Sequence, residues 1–219
     1  MRIVYFLVLL FCFISCKKEP KRFELIGAKD SGIDFENTIT EQDTLNILDT
    51  EFVYNGGGVT VGDLNGDGLQ DIYFCGNQVQ NKLYLNTGDM KFKDVTAVSK
   101  TQKRVNQWSS GVSFIDINND QKLDIYVNNT MSPSPEKRQN LLFVNQGNNK
   151  ENTPVFKELA AEYGLNDDSN SSSAAFFDFD NDGDLDVFVA VNFIDQVFPN
   201  QYLTRTTDGS APTDRKSVV

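Results

Sequence analysis

One acidic loop is written three times along this chain, each time between two short apolar runs. The copies are Asp63-Leu64-Asn65-Gly66-Asp67-Gly68-Leu69-Gln70-Asp71, Asp116-Ile117-Asn118-Asn119-Asp120-Gln121-Lys122-Leu123-Asp124 and Asp178-Phe179-Asp180-Asn181-Asp182-Gly183-Asp184-Leu185-Asp186. Oxygen-bearing side chains recur at positions 1, 3, 5 and 9 of each copy. Hard cations such as Ca²⁺ take roughly six to eight oxygen ligands, and carboxylates on alternate residues of a tight loop supply several from one segment. The backbone carbonyl of position 7 (Leu69, Lys122, Asp184) would add another. The spacing therefore predicts up to three Ca²⁺ sites.

The flanking runs are Val59-Thr60-Val61, Val112-Ser113-Phe114-Ile115 and Ala174-Ala175-Phe176-Phe177 before the loops, and Ile72-Tyr73-Phe74, Ile125-Tyr126-Val127 and Val187-Phe188-Val189 after them. They are short and rich in β-branched and aromatic residues, which predicts strands. An EF-hand would instead need flanking helices and a Glu at position 12. Position 12 here is Phe74, Val127 or Val189, so that reading fails in every copy.

The repeat extends beyond the loop. Asn81-Lys82-Leu83-Tyr84-Leu85-Asn86-Thr87-Gly88 is echoed by Asn140-Leu141-Leu142-Phe143-Val144-Asn145-Gln146-Gly147, and Phe92-Lys93-Asp94-Val95 by Phe156-Lys157-Glu158-Leu159. A third copy begins at Asn200-Gln201-Tyr202-Leu203. Each unit thus offers four short strands, at a spacing somewhat above the roughly 40–50 residues of a four-stranded propeller blade. The extra length is assigned to polar, turn-forming loops at Met131 to Pro135 and Asn166 to Ser173. The expected fold is all-β: a partial β-propeller of about three four-stranded blades with Ca-binding hairpin loops.

These residues resemble FG-GAP/VCBS-type propeller repeats, as found in integrin α-subunit heads and many bacterial surface proteins. Phe23 to Thr96 further resembles the opening of bacterial lipoproteins that carry such repeats ahead of an ASPIC/UnbV domain. The resemblance implies Ca²⁺ in the loops and a parent propeller of about seven blades. It departs at position 6 of the second loop, where Gln121 replaces the expected Gly. A non-Gly residue in a left-handed turn costs on the order of 1 kcal/mol, so the second site is expected to be weaker. The third loop places Asp at all four positions, where the others have three Asp and one Asn. It is expected to bind tightest, provided that the cation alone relieves its charge repulsion.

Three blades leave open strand edges, and closure takes about four to eight blades, so the 219 residues are read as part of a longer protein. Asp214 to Val219 breaks the repeat abruptly and is read as a non-native tail. Residues 1–15 form a signal peptide in outline: Met1-Arg2, then an apolar run from Ile3 to Ile14, too short for a membrane span of about 20 residues. Phe13-Ile14-Ser15-Cys16 resembles a bacterial lipobox, with Cys16 lipidated and Lys17 to Arg22 as tether. Such an anchor holds a domain at a membrane without a span. The expected location is the bacterial outer membrane or cell surface, where Ca²⁺ sites often work at roughly 10⁻⁴–10⁻³ M. Residues 16–50 are read as tether and N-terminal segment, in which Phe23 to Ile33 loosely echoes Phe156 to Leu165 as a candidate ring-closing strand. The repeats themselves occupy 51–213.

Beyond Cys12 and Cys16, Cys75 stands alone, read as a core thiol in a strand. The formal net charge is −11, largely from the loops, and no basic stripe marks a nucleic-acid site. Lys100 to Arg104 is read as a solvated inter-blade loop. The primary functional reading is a Ca²⁺-stabilised scaffold binding a protein or glycan. Recognition is expected on Tyr54 to Gly58, Asn77 to Gln80 or Gln107 to Ser110, and Trp108 is assigned to packing in preference to sugar stacking. An alternative is the non-catalytic part of a polysaccharide-degrading enzyme, since the chain has no His to act as general base. A third reading is structural repeats with no site of their own.

Overall fold

A computed structural model describes residues 22–48, 50 and 52–192. The signal peptide, Cys16, the Asn200 to Leu203 strand and the 214–219 tail lie outside the described residues. Among the described residues, ten strands form two four-stranded antiparallel sheets and one two-stranded sheet. Blade 1 is β1 (Val59–Gly62), β2 (Asp71–Phe74), β3 (Lys82–Asn86) and β4 (Phe92–Asp94), paired in that order. Blade 2 repeats the order with β5 (Trp108–Ile115), β6 (Asp124–Thr130), β7 (Leu141–Asn148) and β8 (Pro154–Glu158). Blade 3 contributes β9 (Ser171–Phe177) and β10 (Asp186–Val191). The fold is the expected partial propeller. Strand β9 starts inside the stretch read as loop, because Ser171 and Ser173 already pair with Val191 and Ala190.

Strand alternation builds the core. In β6, Ile125 and Val127 join Leu141 and Phe143 of β7 in a cluster with Tyr73, Leu83 and Leu85 of blade 1. Their neighbours Tyr126, Leu142 and Val144 face the other way and pack with Ala174 and Phe176 of blade 3. Because successive side chains point to opposite faces, a middle blade needs apolar residues at both parities, and every residue of β6 is buried. The face of blade 1 turned away from blade 2 carries Phe74 and Tyr84. The N-terminal segment covers it: Phe35 stacks on Phe74 at 4.9 Å, and the Tyr84 hydroxyl donates to Asp34 Oδ1 at 2.5 Å.

The innermost strands meet closely, which requires their small residues. A Cβ on Gly111 would lie 2.4 Å from the Ser172 carbonyl oxygen. Beside it, Ser110 Oγ donates to the Ser171 carbonyl at 2.7 Å and Ser113 Oγ to that of Ala174 at 3.1 Å.

A second device recurs in both complete blades. Tyr73 donates its hydroxyl to the Thr101 carbonyl and accepts from Asn81 Nδ2, while Asn81 Oδ1 accepts the Gly76 N–H. Tyr126, Leu165, Asn140 and Asn129 repeat each bond. The asparagine opening the third strand thus ties the end of the second strand to the connection leaving the blade.

A helical turn follows the fourth strand of blade 1. Helices α1 (Ala28–Ser31), α2 (Thr96–Ser99) and α3 (Pro135–Arg138) are each four residues long. Gly32 and Lys100 end α1 and α2 in the left-handed conformation. The segment at Phe23 to Ile33 therefore matches the later units in its turn. It does not match in its strand: Phe23 to Ile26 forms no strand among the described residues, and Phe23 and Leu25 are exposed.

Candidate metal centres

Each acidic loop joins the first two strands of a blade, closed by an equivalent pair: Gly62 opposite Asp71, Ile115 opposite Asp124, Phe177 opposite Asp186. Inside, one hydrogen-bond lattice is written three times. The position-1 carboxylate accepts backbone N–H groups from positions 5 and 6: Asp63 from Asp67 and Gly68, Asp116 from Asp120 and Gln121, Asp178 from Asp182 and Gly183. The position-3 oxygen (Asn65, Asn118, Asp180) accepts from position 5. The position-5 carboxylate (Asp67, Asp120, Asp182) accepts from position 7, which is Leu69, Lys122 or Asp184.

Position 9 anchors the loop to its sheet. Asp71 Oδ2 accepts from Leu64 N and Oδ1 from Asn86 N in β3. Asp124 does the same with Ile117 and Asn145, and Asp186 accepts from Phe179. Asp71 and Asp124 are fully buried. Burial pushes the Asp71 carboxyl up to about 6, with Asp67 and Asp63 adding to the rise against the two N–H donors. Asp124 is raised for the same leading reason.

The backbone carries the cost of so tight a loop. Positions 4 and 6 are left-handed in all three copies: Gly66 and Gly68, Asn119 and Gln121, Asn181 and Gly183. Gln121 adopts φ 66°, the conformation expected to disfavour it. Position 4 went unread in the sequence, although Gly and Asn are the residue types that tolerate positive φ.

Residues 63–127 and 134–189 fit the family model described as FG-GAP-like repeat. The chain belongs to the FG-GAP-like repeat family. It is 31% identical over 140 residues to cartilage acidic protein 1 of Xenopus tropicalis and 26% identical over the same length to that of Mus musculus. Each match covers 62% of this chain and 21% of the relative, so the matched region is about a fifth of those proteins.

The donor set of these FG-GAP-like loops fits a hard divalent cation: every side-chain candidate is a carboxylate or amide oxygen. In the third loop, carboxylate oxygens of Asp178, Asp180 and Asp186 lie within 4.8 Å of one another. Asp182 and Asp184 stand outside that trio. The second loop differs electrostatically, because Lys122 Nζ sits 2.9 Å from Asp120 Oδ2 and that contact lowers the Asp120 pKa.

The first loop is also held by the next blade. Asn145 Nδ2 donates to the Leu64 carbonyl at 3.0 Å, Asn148 Nδ2 to that of Asn65 at 2.7 Å, and Asn65 Nδ2 to that of Asn152 at 3.3 Å. A crevice of about 190 Å³ remains between the first two loops, lined by Asp63, Gln121 and Lys122 among others.

Three expectations need correction. Lys103 is not solvated: it is 5% exposed, and its Nζ donates to the carbonyls of Gly76 and Asn77 at 2.5 and 2.7 Å. Cys75 is a buried free thiol in the core, as expected, but lies just past β2; burial pushes its pKa up to about 12. Asn77, Gln107 and Ser109 are buried and hydrogen-bonded within the blade junction, so their amides and hydroxyl are not free for recognition.

Proposed function

We propose that this chain is a calcium-stabilised propeller segment of an extracytoplasmic binding scaffold, tethered through a lipid on Cys16. The observation that carries the calcium reading is the threefold lattice: all-oxygen donors on a loop whose backbone is already folded around them. The residues holding the ions would be Asp63, Asn65, Asp67 and Asp71; Asp116, Asn118, Asp120 and Asp124; Asp178, Asp180, Asp182 and Asp186, with the carbonyls of Leu69, Lys122 and Asp184. Bound Ca²⁺ supplies positive charge among carboxylates that otherwise repel, which couples metal binding to folding. The chain's own residues do the rest. Asp71 and Asp124 transmit loop order into β3 and β7, and Asn145 and Asn148 carry it from the first loop into blade 2.

FG-GAP-like repeats form scaffolds, and functions sit on surfaces that such folds present. The curated relatives are named for acidity, which this chain shares at a net charge of −11. The signal-like start and Cys16 support a bacterial lipoprotein of the ASPIC/UnbV-associated kind. The proposed partners are the membrane, through that lipid, and a protein or glycan; nucleic acid is not among them. A non-catalytic part of a polysaccharide-degrading enzyme is the second reading, favoured by the absence of His. Among the described residues no helix is long and apolar enough to cross a membrane.

The test is thermal unfolding of the chain from Cys16 in EGTA and in millimolar Ca²⁺. A Ca²⁺-specific rise, lost on changing Asp178 and Asp182 to Ala, is the expected result. A cooperative transition that ignores Ca²⁺ would reduce the loops to acidic turns and remove the metal from the proposal. Incorporation of labelled palmitate on bacterial expression, abolished by Cys16→Ser, checks the anchor.

A further inference from the structure

Far from the acidic loops, at the opposite ends of β5 and β6, lies a cleft of about 920 Å³. Its floor is Trp108, the only tryptophan of the chain, at the first position of β5. Trp108 is 9% exposed but belongs to neither apolar cluster. Its indole N–H makes no hydrogen bond with a described residue, and no described aromatic ring packs on it.

Both walls are held rigidly. On one side the N-terminal segment is stitched to the turn after β2 by paired amides. Asn37 Nδ2 donates to Asn77 Oδ1 at 2.6 Å, and Asn77 N returns a bond to Asn37 Oδ1. Gln78 likewise holds both the N–H and the carbonyl of Thr40. On the other side Met131, at φ 57°, donates its N–H to Asn170 Oδ1, and Arg138 holds the Ser132 carbonyl at 2.7 Å. Rim side chains remain free: those of Gln42, Thr44 and Asn106 are exposed and hydrogen-bond to no described residue. Lys137 is the one charged residue among the described lining, in a strongly acidic chain.

We propose that this cleft binds an oligosaccharide. Its volume is that of a small-molecule site. The exposed amides of Gln42 and Asn106 each present a donor and an acceptor side by side, matching vicinal hydroxyls, and Trp108, buried in the lining, reports on what enters the cleft. A peptide would ask for apolar side-chain pockets that this lining, mostly Thr, Gln, Asn and Ser, does not provide. Lys137 adds a preference for an acidic sugar. The inference rests on the scaffold reading and names its ligand class.

The intact chain, in millimolar Ca²⁺, is screened against arrayed neutral and uronic-acid oligosaccharides and against a peptide library. The expected result is a saccharide whose titration changes the fluorescence of Trp108 saturably. Asn106→Ala and Gln42→Ala, both on the exposed rim, should each weaken it at least fivefold without lowering the melting temperature. Binding by calorimetry should be stronger for acidic than neutral sugars, and that preference should vanish in Lys137→Gln. Saccharide binding indifferent to the rim variants, a silent tryptophan, a peptide as the rim-sensitive ligand, or no saccharide bound at all would each overturn the assignment. Rim-sensitive binding without Ca²⁺-dependent stability would leave the cleft standing and remove only the calcium; Ca²⁺-dependent stability without a saccharide would do the reverse.

Discussion

The side-chain amide of Asn145, in the second blade, donates to the carbonyl of Leu64, in the acidic loop of the first, at 3.0 Å. The same amide reaches the Leu123 carbonyl of its own loop at 3.3 Å, and the Asn145 N–H ends on Asp124. One buried side chain therefore couples two loops and two blades. Asn86 is its counterpart in blade 1, where the amide reaches only the Gln70 carbonyl of the same blade.

Asn145→Leu would leave two loop carbonyls without their donor in a dry setting. Each such loss costs about 1–3 kcal/mol, so the variant is expected to lose roughly 2–4 kcal/mol in urea unfolding with Ca²⁺ present. Asn86→Leu should lose about 1 kcal/mol, because its carbonyl partner is exposed to water. Equal losses would mean that the link to Leu64 carries no stability.

Gln121→Gly removes a side chain from a left-handed position. It is expected to raise stability by up to ~1 kcal/mol, offset in part by the freer unfolded chain. Differential scanning calorimetry in millimolar Ca²⁺ checks this, with Gln121→Ala, which keeps the Cβ, showing no gain.

Lys122→Gln takes a positive charge away from Asp120. Both side chains are substantially exposed, so solvent screens the contact and keeps its effect small. The second loop should then bind Ca²⁺ up to fivefold more tightly by isothermal titration, while the other two loops keep their affinities. Weaker binding would make Lys122 a structural support of the loop.

Burial holds the Lys103 ammonium down at about 8. Between that value and the ordinary ~10.4 of lysine, the unfolded chain binds more protons than the folded one, so stability rises with pH there. The buried Cys75 thiol works in the opposite sense once pH passes the ordinary thiol range of about 8.5–9, because the folded state keeps its proton. The clean window is pH 8 to 9, with an expected gain of about 1 kcal/mol. Lys103→Met should flatten the profile in that window; an unchanged slope would place its origin elsewhere.

Much of this molecule is legible locally. Short apolar runs with β-branched and aromatic bias mark the strands that flank each acidic loop, and the loop spacing marks where each hairpin turns. Gly66, Asn119 and Asn181 also carried a readable signal for the left-handed turn at position 4. The Asn81 and Asn140 echo was visible as a repeat, but its meaning was not, since the tyrosine it holds is identified only by the hydrogen bond.

The sequence by itself determined the four-strand unit, the acidic hairpins and their order, because these depend on side-chain period and turn chemistry within a few residues. Only the tertiary structure decided which surfaces meet. Lys103 reads as one of a run of polar residues, yet the turn after β2 wraps its ammonium in backbone carbonyls. Asn145 stands 81 positions from Leu64, and no local pattern specifies that contact. Trp108 fits a core strand by type, but the N-terminal segment, pinned by Asn77 and Gln78, turns its surroundings into a cleft. In each case the deciding energy comes from burial and hydrogen bonding between blades, which depend on how the sheets stack rather than on what each residue's neighbours are.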